Sequence, residues 1–150
     1  MIEPLNLPKT DLRLKKIKGV VHVWCIIRKK NLVCTPEEWV RQHFIHYLIN
    51  DRNIPIGLIA SEYPLDYNGR LKRADIVVFN TKQEPILIVE CKSPKINLDE
   101  NTLFQIAQYN FHLDVDFLCL TNGIDHIYSE IDRKKGSLHY LKEIPLGIID

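Results

Sequence analysis

Two rhythms of apolar positions alternate along the chain. Residues 20–27, read VVHVWCII, are a run of β-branched and aromatic side chains and predict a strand. The break at Arg28-Lys29-Lys30-Asn31 leaves residues 32–34 as a short hairpin partner. The rhythm then changes: Val40, Phe44, Tyr47 and Leu48 stand at 0, 4, 7 and 8, which is one face of a helix. That helix has a start signal in Thr35-Pro36-Glu37-Glu38, with Thr35 as cap, Pro36 in the first turn and Glu38 completing the T-x-x-E capping box. It should end near Asn50-Asp51, ahead of Pro55. Residues 58–63, 74–79 and 85–91 predict three further strands, separated by Asn68-Gly69 and by a five-residue turn at 80–84. Ile76-Val77-Val78-Phe79 and Ile86-Leu87-Ile88-Val89 are unbroken apolar runs, which suits central strands covered on both faces. Residues 98–113 predict a second helix capped by Asn97 or Asp99, and residues 117–120 a buried strand closed by Thr121-Asn122-Gly123. Residues 124–129 and 137–141 complete an edge hairpin. The expected class is therefore α/β (α+β), a mixed sheet flanked by helices. Residues 1–19 read as a polar, loosely ordered N-terminal arm, and 20–150 as one domain.

Composition narrows the function more than the fold. With 150 residues, 45% hydrophobic and 26% charged, the chain has the make-up of a single globular domain. Its longest apolar run is too short for a membrane span, which needs about 20 residues. Met1–Lys9 contains Pro4 and Pro8 and does not read as a secretory signal. Four scattered cysteines without a C-x-x-C pair read as reduced thiols, and the expected location is the cytoplasm. The formal net charge of +1 means that a polyanion would be held by a local patch and not by the bulk field. No phosphate-cradling G-x-x-x-x-G-K-[ST], G-x-S-x-G or G-x-G-x-x-G sequence occurs.

The chemistry concentrates in residues 73–92. Asp75 lies seven residues before Lys82 and Glu90 eight after it, so an antiparallel hairpin sets them side by side. Glu90 and Lys92 are two apart on one strand and share a face, about 7 Å from each other. Two carboxylates buried together need a cation, and magnesium (or manganese) suits a site of one or two carboxylates completed by water and phosphate oxygens. The backbone carbonyl of Cys91, between Glu90 and Lys92, is a further metal-ligand candidate, while its thiol should point away and pack. The bland alternative is a strand-end salt bridge among Asp75, Glu90 and Lys92.

Gln105 and Tyr109 share one face of the second helix and can meet the metal site or the phosphate chain. Glu38 can add a carboxylate to the metal site or its surroundings. Arg70, Lys72 and Arg73 precede Asp75, and Lys95 follows Lys92; these can hold phosphates. His43 and His46, three apart on the first helix, read as an exposed helix face and not as metal ligands. The orientation of Glu62 cannot be read from its spacing.

Arg73-Ala74-Asp75, Glu90-Cys91-Lys92 and Gln105-x-x-x-Tyr109, in that order, resemble the PD-(D/E)XK nuclease superfamily in its RecB-like branch. The first-helix sequence Thr35-Pro36-Glu37-Glu38-Trp39-Val40-Arg41 and the later Thr121-Asn122-Gly123 make the chain similar to the N-terminal nuclease domain of type I restriction enzyme R subunits, in a small stand-alone form. The resemblance implies a restriction-endonuclease-like αβββαβ core and magnesium-dependent cleavage of DNA phosphodiesters. It implies Asp75 and Glu90 as metal ligands, Lys92 as catalytic lysine, and Gln105, Tyr109 and Glu38 as supporting residues. Ala74 stands where the motif has proline, and no helicase domain is present in this sequence. Two other readings remain open: a docking or partner-activated subunit on a nuclease fold, and a Holliday-junction resolvase-like homodimer. DNA is the expected partner, with further restriction or helicase subunits possible in kind.

Overall fold

In the computed structural model, residues 3–67, 69–109 and 113–150 are described, except for the side chains of Tyr67 and Tyr109. The chain opens with a small antiparallel sheet of β1 (Leu14–Ile17), β2 (Val20–Cys25) and β3 (Lys30–Val33), in the order β1-β2-β3. Helix α1 (Pro36–Asn50) follows. Then β4 (Ile59–Tyr67), β5 (Arg70–Phe79) and β6 (Pro85–Cys91) form an antiparallel meander. Helix α2 (Glu100–Tyr109) crosses over to β7 (Phe117–Thr121), which lies parallel to β6. The antiparallel strands β8 (His126–Asp132) and β9 (Ser137–Leu141) complete a mixed sheet in the order β4-β5-β6-β7-β8-β9. From α1 to β7 this is the expected αβββαβ order, with the expected edge hairpin after it.

The unbroken apolar runs are central strands with a core on each face. Ile76, Val78, Leu87 and Val89 join Val40, Phe44, Ile45 and Leu48 on the α1 side. Val77, Ile88, Leu118 and Leu120 join Leu103 and Ile106 on the α2 side. Removing such side chains from water on both faces is the main force that holds the sheet between its helices.

Four expectations change. The β4–β5 hairpin is longer than its turn residues imply: strand pairing continues out to Tyr67↔Arg70, so the basic residues 70–73 lie on a strand and not in a solvated turn. Helix α2 begins at Glu100, two residues later than expected, because Asp99 caps it by accepting the Thr102 N–H at 2.8 Å. The capping box at α1 is half formed. Thr35 Oγ1 accepts the Glu38 N–H at 3.0 Å, but the Thr35 N–H is taken by the Val33 carbonyl, which leaves the Glu38 side chain free to turn elsewhere.

The N-terminal arm is not loose. Residues 14–17 are a strand, Leu5 and Leu7 pack on the α1-side core, and the Glu3 carbonyl accepts the Trp39 indole N–H at 3.0 Å. The Asn6 N–H donates to the Gly123 carbonyl at 2.7 Å. Short apolar residues hidden among polar ones carry no periodicity, so this docking leaves no sequence pattern.

Candidate functional site

The register of three neighbouring strands builds a row of carboxylates across the sheet. Ser61↔Ile76 and Tyr63↔Ala74 bracket Glu62 and Asp75, which face each other at a gap in the ladder. One step beyond Ile76↔Val89, Asp75 faces Glu90. Glu62 adopts a left-handed backbone, with φ of 56°, a conformation that a non-glycine residue takes only at a cost. This kink is the reason its orientation is unreadable from a two-residue period.

Asp75 is held at both oxygens. Its Oδ2 accepts the Cys91 N–H at 2.8 Å, and its Oδ1 lies 3.3 Å from Arg41 Nη1. Arg41 also bonds Glu62 through Nη1, and Glu38 through Nη2 and, at 3.0 Å, through Nε. Gln42 Nε2 donates to Glu38 Oε2 at 2.8 Å. Glu38 is buried, and it reaches the site only through Arg41. Burial alone would lower the proton affinity of the Arg41 guanidinium; its bonds to Glu38 and Glu62 and the charges of Glu38 and Asp75 outweigh burial and raise it. The cation bonded to Asp75 is therefore Arg41 and not Lys92, which replaces the simple strand-end salt bridge.

On the α2 side the row opens into a cleft of about 240 Å³, lined by Lys72, Arg73, Glu90, Lys92, Thr102 and Gln105 over a floor of Leu65, Ala74, Ile88 and Ile106. The Glu90 carboxyl is pushed up to about 8, first by burial, then by the Asp75 charge and a hydrogen bond with Asp75; the Lys92 charge pulls the other way. Two carboxylates that resist joint ionisation are a donor set that a hard divalent cation relieves. Among the described residues, no group of three or more His, Cys, Asp or Glu side chains is arranged to hold a metal ion. Magnesium asks no more than one or two protein carboxylates, and the pair Asp75–Glu90 meets that demand.

Of the other sequence-derived residues, Lys72 and Arg73 line the cleft, as does Gln105 from α2. Arg70 and Lys95 are exposed and lie outside its lining. Tyr109 ends α2, and its side chain lies outside the described residues. The Cys91 thiol packs on the α1 side, as expected. His43 corrects the reading of an exposed histidine face: it is buried, edge-on to Trp39 at 4.3 Å between ring centroids, and its Nδ1–H donates to the Trp39 carbonyl at 2.8 Å. That imidazole is a core residue with its ring nitrogen committed.

The Thr121-Asn122-Gly123 sequence is the buttress behind the site. Asn122 is buried; its Nδ2 donates to the Ile96 carbonyl at 2.7 Å and its Oδ1 accepts the Ile124 and Asp125 N–H groups. It thereby ties the segment after Lys92 to the end of β7, and the Lys92 N–H donates to the Thr121 carbonyl at 2.8 Å. Arg41 is the residue that sequence reasoning missed, and Glu62, whose orientation its spacing left open, joins the site through Arg41. Arg41 did carry a signal: a cation three residues after Glu38 on a helix that buries Gln42, His43, Phe44 and Ile45 must find a buried partner.

Compared with known proteins, the sequence pattern of the family described as "Type I restriction enzyme R protein N terminus (HSDR_N)" matches residues 36–145. A solved fragment assigned to an HsdR subunit of a type I restriction enzyme from Vibrio vulnificus YJ016 is similar at 26% identity and a TM-score of 0.45, over 59% of this chain and 19% of that one. The chain thus spans about a fifth of the length of that relative. No curated protein matches. Among the described residues, no helix is long and apolar enough to cross a membrane.

Proposed function

The chain belongs to the type I restriction enzyme R protein N-terminal family, and on that premise we propose that it is a magnesium-dependent endodeoxyribonuclease that hydrolyses DNA phosphodiesters at Asp75, Glu90 and Lys92. The observation that carries this reading is geometric: the strand register sets Glu90 opposite Asp75, and Glu90 and Lys92 line one cleft, where burial and the Asp75 charge raise the Glu90 carboxyl.

Magnesium or manganese, held by Asp75, Glu90 and the Cys91 carbonyl, would polarise the phosphodiester and acidify a water. The protein's own residues do the rest. Lys92 presents a point charge on a flexible stem to the phosphoryl oxygens, where negative charge builds in the transition state. Lys72 and Arg73 line the same cleft and can receive the flanking phosphates, and the Gln105 amide can donate a hydrogen bond to one of them. Arg70 and Lys95, exposed and outside the cleft lining, would serve as outer phosphate contacts. Tyr109 belongs to this reading only through its position at the end of α2. DNA is the partner, other restriction subunits are the expected assembly, and the compartment is the cytoplasm.

Plasmid and four-way-junction cleavage in magnesium or manganese tests the proposal, with Lys92→Ala and chelator as controls. Cutting abolished by both supports it. Cutting that survives Lys92→Ala sinks the assignment of residues. A folded, metal-binding wild type that does not cut points to a docking or partner-activated subunit, and dimerisation with a preference for junctions points to a resolvase.

A further inference from the structure

We infer that Arg41 is the positioning residue of this site: it holds Asp75 toward Glu90 and claims Glu38 and Glu62 for itself, so that a single divalent ion is taken by Asp75 and Glu90. The inference rests on the metal-dependent reading above and refines it.

The geometry is directional. A guanidinium offers five N–H donors in one plane. Here Nε and Nη2 go to the two oxygens of Glu38, and Nη1 is shared by Glu62 and Asp75. Asp75 is therefore pinned at Oδ1 by Arg41 and at Oδ2 by the Cys91 N–H at 2.8 Å. A carboxylate held at both oxygens cannot rotate away, and its remaining lone pairs serve the Glu90 side.

Accessibility sets Glu38 apart. The side chains of Glu38 and Arg41 are 6% and 12% exposed, so Glu38 can meet an ion from solvent only by abandoning a buried pair. Glu62 and Asp75 are similarly exposed, at 26% and 22%, and position separates them: Asp75 lies between Arg41 and Glu90, whereas Glu62 lies on the far side of Asp75 from Glu90. Lysine could not replace Arg41, because a point charge cannot bond three carboxylates through one rigid fork.

Manganese binding to the full chain, followed by electron paramagnetic resonance with folding checked by circular dichroism, tests this without reference to cutting. Wild type is expected to bind one Mn²⁺, and Asp75→Asn to lose it. Arg41→Lys is expected to bind about 10–100-fold more weakly while folded, as for other groups that orient a metal ligand. Glu62→Gln, which keeps an oxygen for Arg41, should stay within about threefold of wild type, the scale of a partly exposed ion pair. Several results would overturn the inference: a folded Arg41→Lys that binds like wild type, two ions on wild type, none at all, or a Glu62→Gln loss as large as that of Asp75→Asn. If Arg41→Lys does not fold, wild-type stoichiometry and Glu62→Gln decide. One bound ion without DNA cleavage would sink the nuclease reading and leave this one standing.

Discussion

Asp75 has two neighbourhoods of opposite character. Toward α1 it meets Arg41, with Glu38 and Glu62 gathered on the same guanidinium. Toward α2 it meets Glu90, whose carboxyl is pushed up to about 8, at the mouth of a basic-lipped cleft. Both sides are rich in acid. One has its own cation built in, and the other opens onto a cleft lined by Lys72, Arg73 and Lys92. Carboxylates that are already compensated serve architecture, and those left short of positive charge are where an external cation and its chemistry belong.

The largest effect that could break this contrast is on stability. Arg41→Leu strands Glu38, Glu62 and part of Asp75 without their cation, and about 3–5 kcal/mol should be lost, as when one partner of a buried pair is removed. Lys92→Ala, on the open side, should cost about 1 kcal/mol or less. Urea midpoints of the two variants measure the difference. Equal losses would mean that the two sides are not distinct.

The next effect concerns Glu90 in metal-free protein. Its carboxyl titrates near 8 when folded and near the ordinary 4.5 when unfolded. Between those values the folded state carries a proton that the unfolded state has released, so stability falls as pH rises through that window. Glu90→Gln removes the liability and should stabilise the protein in chelator by up to about 4 kcal/mol at pH 8 and by almost nothing at pH 4.5. A variant equally stable relative to wild type at both pH values would show that Glu90 is not held in a charge-starved site.

Much of this contrast was legible in the sequence, and the reason differs by region. The hairpin count brings Asp75 near Glu90, but the turn alone, which pairs Phe79 with Pro85, would set Asp75 opposite Val89; a bulge between Val78 and Phe79 moves the register by one residue and puts Asp75 opposite Glu90, with Lys92 lining the same cleft. The αβββαβ order follows from apolar runs and caps of ordinary strength. The α1 side was hidden for equally physical reasons. Glu38 looks like half of a capping box until the Thr35 N–H proves to be taken by Val33. Glu62 leaves the two-residue rhythm through its left-handed φ, and Arg41 becomes informative only when its helix is known to be buried on nearly every face. Local pattern predicts elements, whereas the partner of a buried charge is a long-range fact.

A smaller effect tests whether the buttress behind Lys92 depends on the N-terminal arm. Gly123 has φ of +86°, and a Cβ there would lie 2.8 Å from Leu5 Cδ2 and 3.0 Å from Val40 Cγ2. Gly123→Ala should therefore cost about 1–3 kcal/mol through backbone strain and crowding together. Protection of the Asn6 N–H against hydrogen exchange should drop in the same variant. A cost without that drop would place the damage at Val40 and α1 instead of at the arm.

The smallest effect is the pH dependence of the same latch. The His126 Nε2–H donates to the Asn6 carbonyl at 2.9 Å, so its Nδ1, 2.7 Å from Thr121 Oγ1, accepts the hydroxyl proton. Both ring nitrogens are satisfied in the neutral form. Burial lowers the affinity of His126 for a second proton, against the opposing pull of the Asn6 carbonyl and Asp125. The folded-state value thus lies below the ordinary 6.5. Well above the unfolded value of 6.5 neither state is protonated and His126 contributes nothing to the slope. As pH falls through it, the unfolded chain takes up the proton first and stability declines. His43 and His46 are lowered by burial in the same sense, so the chain should lose about 1 kcal/mol in total between pH 7 and 5.5. His126→Gln should flatten part of that slope in thermal melts, and it should lower the protection factor of the Asn6 N–H at pH 7 to that of wild type at pH 5.5. An unchanged slope would assign the whole decline to the helix histidines and leave the arm fastened by its other contacts, among them Leu5, Leu7, the Glu3 carbonyl and the Gly123 carbonyl. The acid side of the stability curve would then belong to α1, just as its alkaline side belongs to Glu90.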